Sequence, residues 1–206
     1  MLTLYELYFA AERGSYYNIC MTFLPSSITY LNGISKPHNS ALLKIIAGIK
    51  SPARGCVIES ERKPYCLYID NELGLKNRMT VLENLTFWAE LYNSLETLEA
   101  SIHCFELQNI LYVECGALSR LDKKRVVLSK LISCQSDIWL LDELDLDLDD
   151  KTKDFVQNLI ISKANNGGII LMTNMNGQTI ETAQILDIQD YKTSFETSSG
   201  KLFCRH

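Results

Sequence analysis

Four apolar residues, Ile138-Trp139-Leu140-Leu141, run without interruption into two adjacent carboxylates, Asp142-Glu143. An unbroken apolar run fits a strand covered on both faces, as in a parallel sheet. Ending such a strand in Asp-Glu places both acids at the sheet's C-terminal edge, where open α/β folds bind ligands. The rest of the chain must therefore supply companion strands, crossover helices and a loop at that edge.

The sequence reads in that way. Leu2, Leu4, Leu7 and Phe9 form one short apolar run, Ile19 to Leu24 a second, and Ile28 to Leu31 a third after a Pro25-Ser26-Ser27 turn. Turn formers fill Asn32 to Ser40. Ala41 to Ala47 then reads as a helix with Gly48 as its stop. Strand, polar loop and helix in that order outline a phosphate-binding unit. Ser51-Pro52-Ala53-Arg54-Gly55 reads as a turn, with strands at Cys56 to Ile58 and Cys66 to Ile69. Thr80 and Glu83 make a capping box opening a helix to about Tyr92. Leu95 to Phe105 has helical spacing, and Ser119 with Asp122 caps a helix to about Ser133. Asp149 to Asn165 reads as a helix, Gly168 to Thr173 as a buried strand and Ala183 to Ile188 as a last short one. The expected fold class is α/β in one domain, 1–206. It has a mostly parallel core sheet, an antiparallel β edge from the N-terminal strands, a helical subdomain over about 76–135 and a polar tail over about 189–206.

Composition narrows the function. The net charge of −5 gives no electrostatic footprint for nucleic acid. The one basic cluster, Lys123-Lys124-Arg125, reads as a solvated helix face. Seven cysteines without a C-x-x-C pair, and three scattered histidines, argue against zinc and for reduced, mostly buried thiols in a cytosolic protein. The N-terminus has no basic leader followed by an apolar stretch, and no run approaches the ~20 residues needed to cross a bilayer. Any membrane association is expected to come through a partner. The acids Asp145, Asp147, Asp149 and Asp150 start like a calcium loop, but its sixth position is Asp150 and its twelfth Val156, so a tight calcium site is rejected. His103 reads as a core or rim histidine.

Six pieces occur in order: Gly33 to Gly48, Pro52-x-x-Gly55, Met79 to Phe87, Leu118-Ser119 followed by Lys124-Arg125-Val126, Asp142-Glu143, and Gly167-Gly168. Together they resemble the nucleotide-binding subunits of ATP-binding-cassette (ABC) transporters, above all the short haem-export ATP-binding proteins of cytochrome c biogenesis. The similarity runs from about Leu2 to Ile188. It implies a P-loop NTPase-type ABC ATPase fold and Mg2+ with ATP as cofactor. It implies a homodimer, integral-membrane transporter subunits as partners, no nucleic acid, and a peripheral place on the cytoplasmic face of the cell membrane. It also assigns roles. Gly33, His38, Asn39, Ser40 and Ala41 occupy the phosphate loop. Tyr16, or equally Tyr17, stacks on adenine. Glu72 stands at the glutamine of the Q-loop, Ser119 in the signature and Asp149 in the D-loop. Ser40 and Asp142 hold magnesium, and Glu143 orients or deprotonates the attacking water.

The chain departs from this pattern. The loop G-x-x-x-x-G-K-[ST] is here Gly33-Ile34-Ser35-Lys36-Pro37-His38-Asn39-Ser40, so histidine replaces the second glycine and asparagine the lysine. Pro37 has no N–H to offer a phosphate. Losing one preorganised contact of this kind costs roughly 3–4 kcal/mol in a transition state. Lys36 reads as a solvated loop residue. The signature is reduced to Leu118-Ser119-Arg120-Leu121-Asp122, and Met175 stands where the family has a switch histidine. Ser40 and Asp149 also have plain readings as helix caps. Three functions stay open: a divergent transport ATPase, a pseudo-ATPase serving as a structural or regulatory subunit, and a foldable chain without a role.

Overall fold

A computed structural model describes residues 1–10, 15–33, 36–59, 66–70, 74–144, 148–173 and 180–193. The strands are β1 (Leu2–Ala10), β2 (Tyr16–Phe23), β3 (Ser27–Asn32), β4 (Arg54–Glu59), β5 (Cys66–Ile69), β6 (Ile138–Leu141), β7 (Ile169–Thr173), β8 (Gln184–Asp187) and β9 (Lys192–Thr193). The helices are α1 (Lys36–Ile46), α2 (Val81–Leu91), α3 (Leu98–Cys104), α4 (Arg120–Leu128), α5 (Lys130–Ser133) and α6 (Asp150–Asn165). The chain forms two compact units. A sheet unit takes residues 1–68, 137–142 and 163–206, and a helical unit takes 69–136 and 143–162.

In the sheet unit the order β5-β6-β7-β3-β8 makes one sheet. The β6–β7, β7–β3 and β3–β8 pairs are all parallel. Every residue of β6 and β7 is buried, as their unbroken apolar runs require. A second, antiparallel sheet has the order β4-β1-β2-β9. Residues of β1, β2, β3, α1, β6 and β7 share one apolar core.

The spacing of Leu4 and Leu7 breaks the period of two, yet both side chains are buried. A β-bulge reconciles them. The register of β1 slips by one residue against both neighbours around Glu6, whose φ is +44°. Gly55 faces this bulge with φ +77°, and a Cβ there would lie 2.1 Å from the Glu6 carbonyl oxygen. Gly55 is thus a strand residue of β4, not the end of the expected turn.

The start of α1 also differs from expectation. The helix begins at Lys36, so His38, Asn39 and Ser40 belong to it, and Ser40 cannot be its N-cap. Proline is tolerated in a first helical turn because the missing N–H has no partner there anyway. Gly48, at φ +74°, ends the helix as expected.

In the helical unit, the Thr80–Glu83 capping box on α2 is complete. Asn84 is buried, accepting from the Lys76 amide and donating to the carbonyls of Lys76 and Thr80. The helix read to Ser133 is split at Ser129 into α4 and α5. The basic cluster is not a solvated face: Lys124 is 1% exposed. Of the six described cysteines only Cys115 and Cys134 are buried, while Cys56 and Cys104 are exposed, which corrects the expectation of mostly buried thiols. His103 is exposed and paired with Gln108 at 2.9 Å, neither core nor rim. The polar tail is partly built in: a helical turn at Ile188–Tyr191 leads to β9, which pairs with β2. No described helix is long and apolar enough to cross a membrane.

Candidate functional site

In the sheet unit, β3 and β6 flank β7 and run parallel to it. Leu31 pairs with Thr173 and Leu141 with Met172, so the two strands end nearly level. Gly33 and Asp142 therefore follow strands ending on one sheet edge, about 10 Å apart at two strand spacings. That edge is where the sequence places the phosphate loop and the magnesium carboxylate.

The protein's own side chains occupy the loop end. Asn39, at the lysine position, is 7% exposed and folds back to donate from Nδ2 to the Leu31 carbonyl at 3.1 Å. Its Oδ1 is buried without a hydrogen-bond partner and sits 2.7 Å from where a Cβ on Gly33 would lie. Gly33 thus leaves room for Asn39. His38, at the glycine position, is buried with its ring 5.3 Å from that of Tyr17. Tyr17 stacks on Phe9 and is 1% exposed, too enclosed to stack on adenine. Tyr16 is half-buried and stacks on Tyr8 with ring centroids 5.6 Å apart. Ser40 is half-buried and Ala41 buried, both inside α1. Within a helix, amides beyond the first turn donate to the carbonyl four residues back. The amides left for an anion are those of the first turn, where Pro37 removes one.

The β6 end keeps its acids. Asp142 is 4% exposed, and the Tyr68 hydroxyl donates to its Oδ2 at 3.3 Å. The adjoining Glu143, where the chain enters the helical unit, has a left-handed backbone with φ +54°. Lys124 donates from Nζ to the Glu143 carbonyl at 3.2 Å.

The other candidates of the helical unit are engaged with its own helices. Ser119 caps α4, accepting from the Asp122 amide at 3.1 Å and donating to the Asp122 carboxylate at 2.6 Å. Asp149 caps α6, accepting from the Thr152 amide at 2.9 Å and pairing with Arg125 at 2.8 Å. The Thr152 amide and hydroxyl, then Arg125, hold the Asp149 carboxyl below the usual carboxylate range. Glu72 and Met175 lie outside the described residues, as do Asp145 and Asp147. Reading the sequence missed Tyr68, Lys124 and Arg125. Lys124 and Arg125 carried a signal there, as part of a motif, while Tyr68 resembles any strand tyrosine.

The sequence profile of ABC transporters matches residues 17–145. The chain belongs to the ABC transporter family. Among its ABC relatives, the cytochrome c biogenesis ATP-binding export protein CcmA of Rickettsia felis is 47% identical over 91% of this chain and 100% of its own length. The protein of the same description from Wolbachia pipientis is 33% identical over 71% of this chain and 73% of its own. Solved ABC structures share the fold. A putative ABC transporter ATP-binding protein from Pyrococcus furiosus superposes with a TM-score of 0.75 at 20% identity, over 93% of this chain and 99% of that one. A dimeric ATP-binding cassette bound to ADP and phosphate superposes with a TM-score of 0.74 at 18% identity, over 91% and 94%.

Proposed function

We propose that this chain is the ATP-binding subunit of an export complex in cytochrome c biogenesis, with a weakened grip on phosphate. The near full-length identity to the Rickettsia felis protein carries this reading. On it, two copies pair around nucleotide and dock on integral-membrane subunits at the cytoplasmic face. The surviving oxygen donors suit magnesium, which binds through one or two carboxylates and the substrate's phosphates. Asp142, oriented by Tyr68, and Ser40 would hold the ion, which offsets phosphate charge when bound. Glu143 would orient or deprotonate the attacking water. The residues at the loop fit a triphosphate poorly. There Asn39 supplies no charge, its amide group turns back to Leu31, and Pro37 lacks an N–H.

The same loop favours a second reading, a pseudo-ATPase that keeps the cassette as a structural or regulatory subunit. Such contacts act as a unit, so their joint loss reaches beyond the sum of small defects. Calorimetric titration with Mg-ATP separates the readings when run on the native chain and on His38→Gly/Asn39→Lys. The expected result is weak binding natively and at least a tenfold gain on repair, with hydrolysis abolished by Glu143→Gln. A repaired loop that binds no better overturns the account of the loop. Partner docking unaffected by nucleotide, with no hydrolysis by either chain, selects the second reading.

A further inference from the structure

We infer that Lys124 is a positioning residue for Glu143, which rests on the role proposed above for that acid. Three consecutive cations on α4 meet three different fates. Lys123 reaches the Gly116 carbonyl at 3.2 Å from a half-exposed position, and Arg125 pairs with Asp149. Lys124 is drawn inside the helical unit until 1% of it is exposed. A buried ammonium is among the least favourable groups to enclose, so an acceptor must meet it. One acceptor it meets is the carbonyl of Glu143, at 3.2 Å.

That carbonyl belongs to a strained residue. A non-glycine residue with φ +54° is uncommon, and such a conformation persists only where its surroundings hold it. Leu144, directly after it, is buried and fixes the chain on that side. The ammonium fixes the peptide group between Glu143 and Leu144. Holding that peptide sets the direction in which the Glu143 carboxylate leaves the backbone. Water activation requires such placement to within a fraction of an ångström. Lys124 touches no reacting atom on this account; it acts through the backbone of Glu143.

Two measurements test the inference. The first does not depend on catalysis. Lys124→Met, which keeps the unbranched apolar stem but cannot donate, is placed in the native chain and in Glu143→Gly, where glycine removes the cost of the left-handed backbone. The denaturant midpoint should fall more in the native chain than in the glycine background; equal shifts overturn the inference. Where Lys124→Met does not fold, Lys124→Gln takes its place in both backgrounds. The second measurement uses the loop-repaired chain, His38→Gly/Asn39→Lys. There Lys124→Met should lower kcat at least tenfold with KM for Mg-ATP within twofold, and Lys124→Arg should restore most of the rate. A change confined to KM overturns the positioning role. A repaired chain without hydrolysis counts against the ATPase reading instead, and the stability comparison alone then decides the role of Lys124.

Discussion

The strands β3 and β6 end on the same sheet edge, and their ends have diverged in opposite ways. After β6 the acids of the motif remain, one oriented by Tyr68 and the next held in a left-handed backbone beside a buried lysine. After β3 the loop has lost its lysine and second glycine, and the replacements have packed into the protein. Asn39 bonds to Leu31 and His38 packs on Tyr17. A functional group that is merely deleted leaves a space that a ligand can still enter. One that is replaced by a side chain with its own partner leaves that space filled. The difference between the two ends is therefore one of occupancy as well as of charge.

The largest effect expected from breaking this contrast is at Gly33. Gly33→Ala drives a Cβ to within 2.7 Å of the buried Asn39 Oδ1. Overpacking of that kind costs about 2 kcal/mol. The loss should nearly vanish in an Asn39→Ala background, as chemical denaturation of the single and double variants will show. An undiminished loss there means that Gly33 serves something other than Asn39.

In the helical unit, Asp149→Ala removes a helix cap and an ion pair together. Caps of this type contribute about 1 kcal/mol, and a half-exposed ion pair adds a few tenths to 1 kcal/mol. Most of the loss should survive in an Arg125→Ala background, because the cap dominates. A loss that disappears with Arg125 would reverse that order. The carboxyl is held below its usual range by Thr152 and Arg125, so its contribution is present at neutral pH and fades as pH falls through the depressed value. Ser119→Ala comes next, at about 1 kcal/mol for the lost cap. Its hydroxyl is engaged with Asp122, so Ser119→Ala should change nucleotide affinity by less than twofold.

These contrasts also mark what could be read from residues alone. The buried strands were legible because an unbroken apolar run has few other uses, and the Thr80–Glu83 cap because it is local. The start of α1 was not: Pro37, His38 and Asn39 are turn formers by propensity, and only their tertiary partners, Leu31 and Tyr17, show why they are helical. The bulge at Glu6 left a trace in the Leu4–Leu7 spacing, but its meaning needed Gly55 across the sheet. At the site, the identities of Asp142, Glu143 and Ser119 were legible. The Ser119–Asp122 cap was legible because it too is local, whereas the bonds from Tyr68 to Asp142 and from Lys124 to the Glu143 carbonyl join residues distant in sequence and were not. Lys124 was the plainest misreading. A run of three cations signals a wet surface, and nothing in the run says that the middle one turns inward.

The smallest effect expected arises at a second lysine of the helical unit. Burial pushes Lys130 down to about 8, partly opposed by Cys134 and Asp70, while its ammonium lies 3.7 Å from the centre of the Trp88 ring. A lysine depressed in the folded state binds its proton more weakly there than in the unfolded chain. Between about pH 8 and the unfolded value of 10.5 the unfolded chain therefore holds more protons, and stability rises with pH. The indole face favours the charged form and reduces the slope. Stability should rise by under about 1 kcal/mol from pH 7 to pH 9 through this group. Lys130→Met should remove that rise, which paired unfolding curves at the two pH values will measure. Lys124 provides the contrast in geometry: its ammonium meets a carbonyl oxygen at 3.2 Å, whereas that of Lys130 lies over an aromatic face. If Lys130→Met leaves the pH dependence unchanged, the Trp88 ring holds the Lys130 charge through this pH range and burial does not displace its proton.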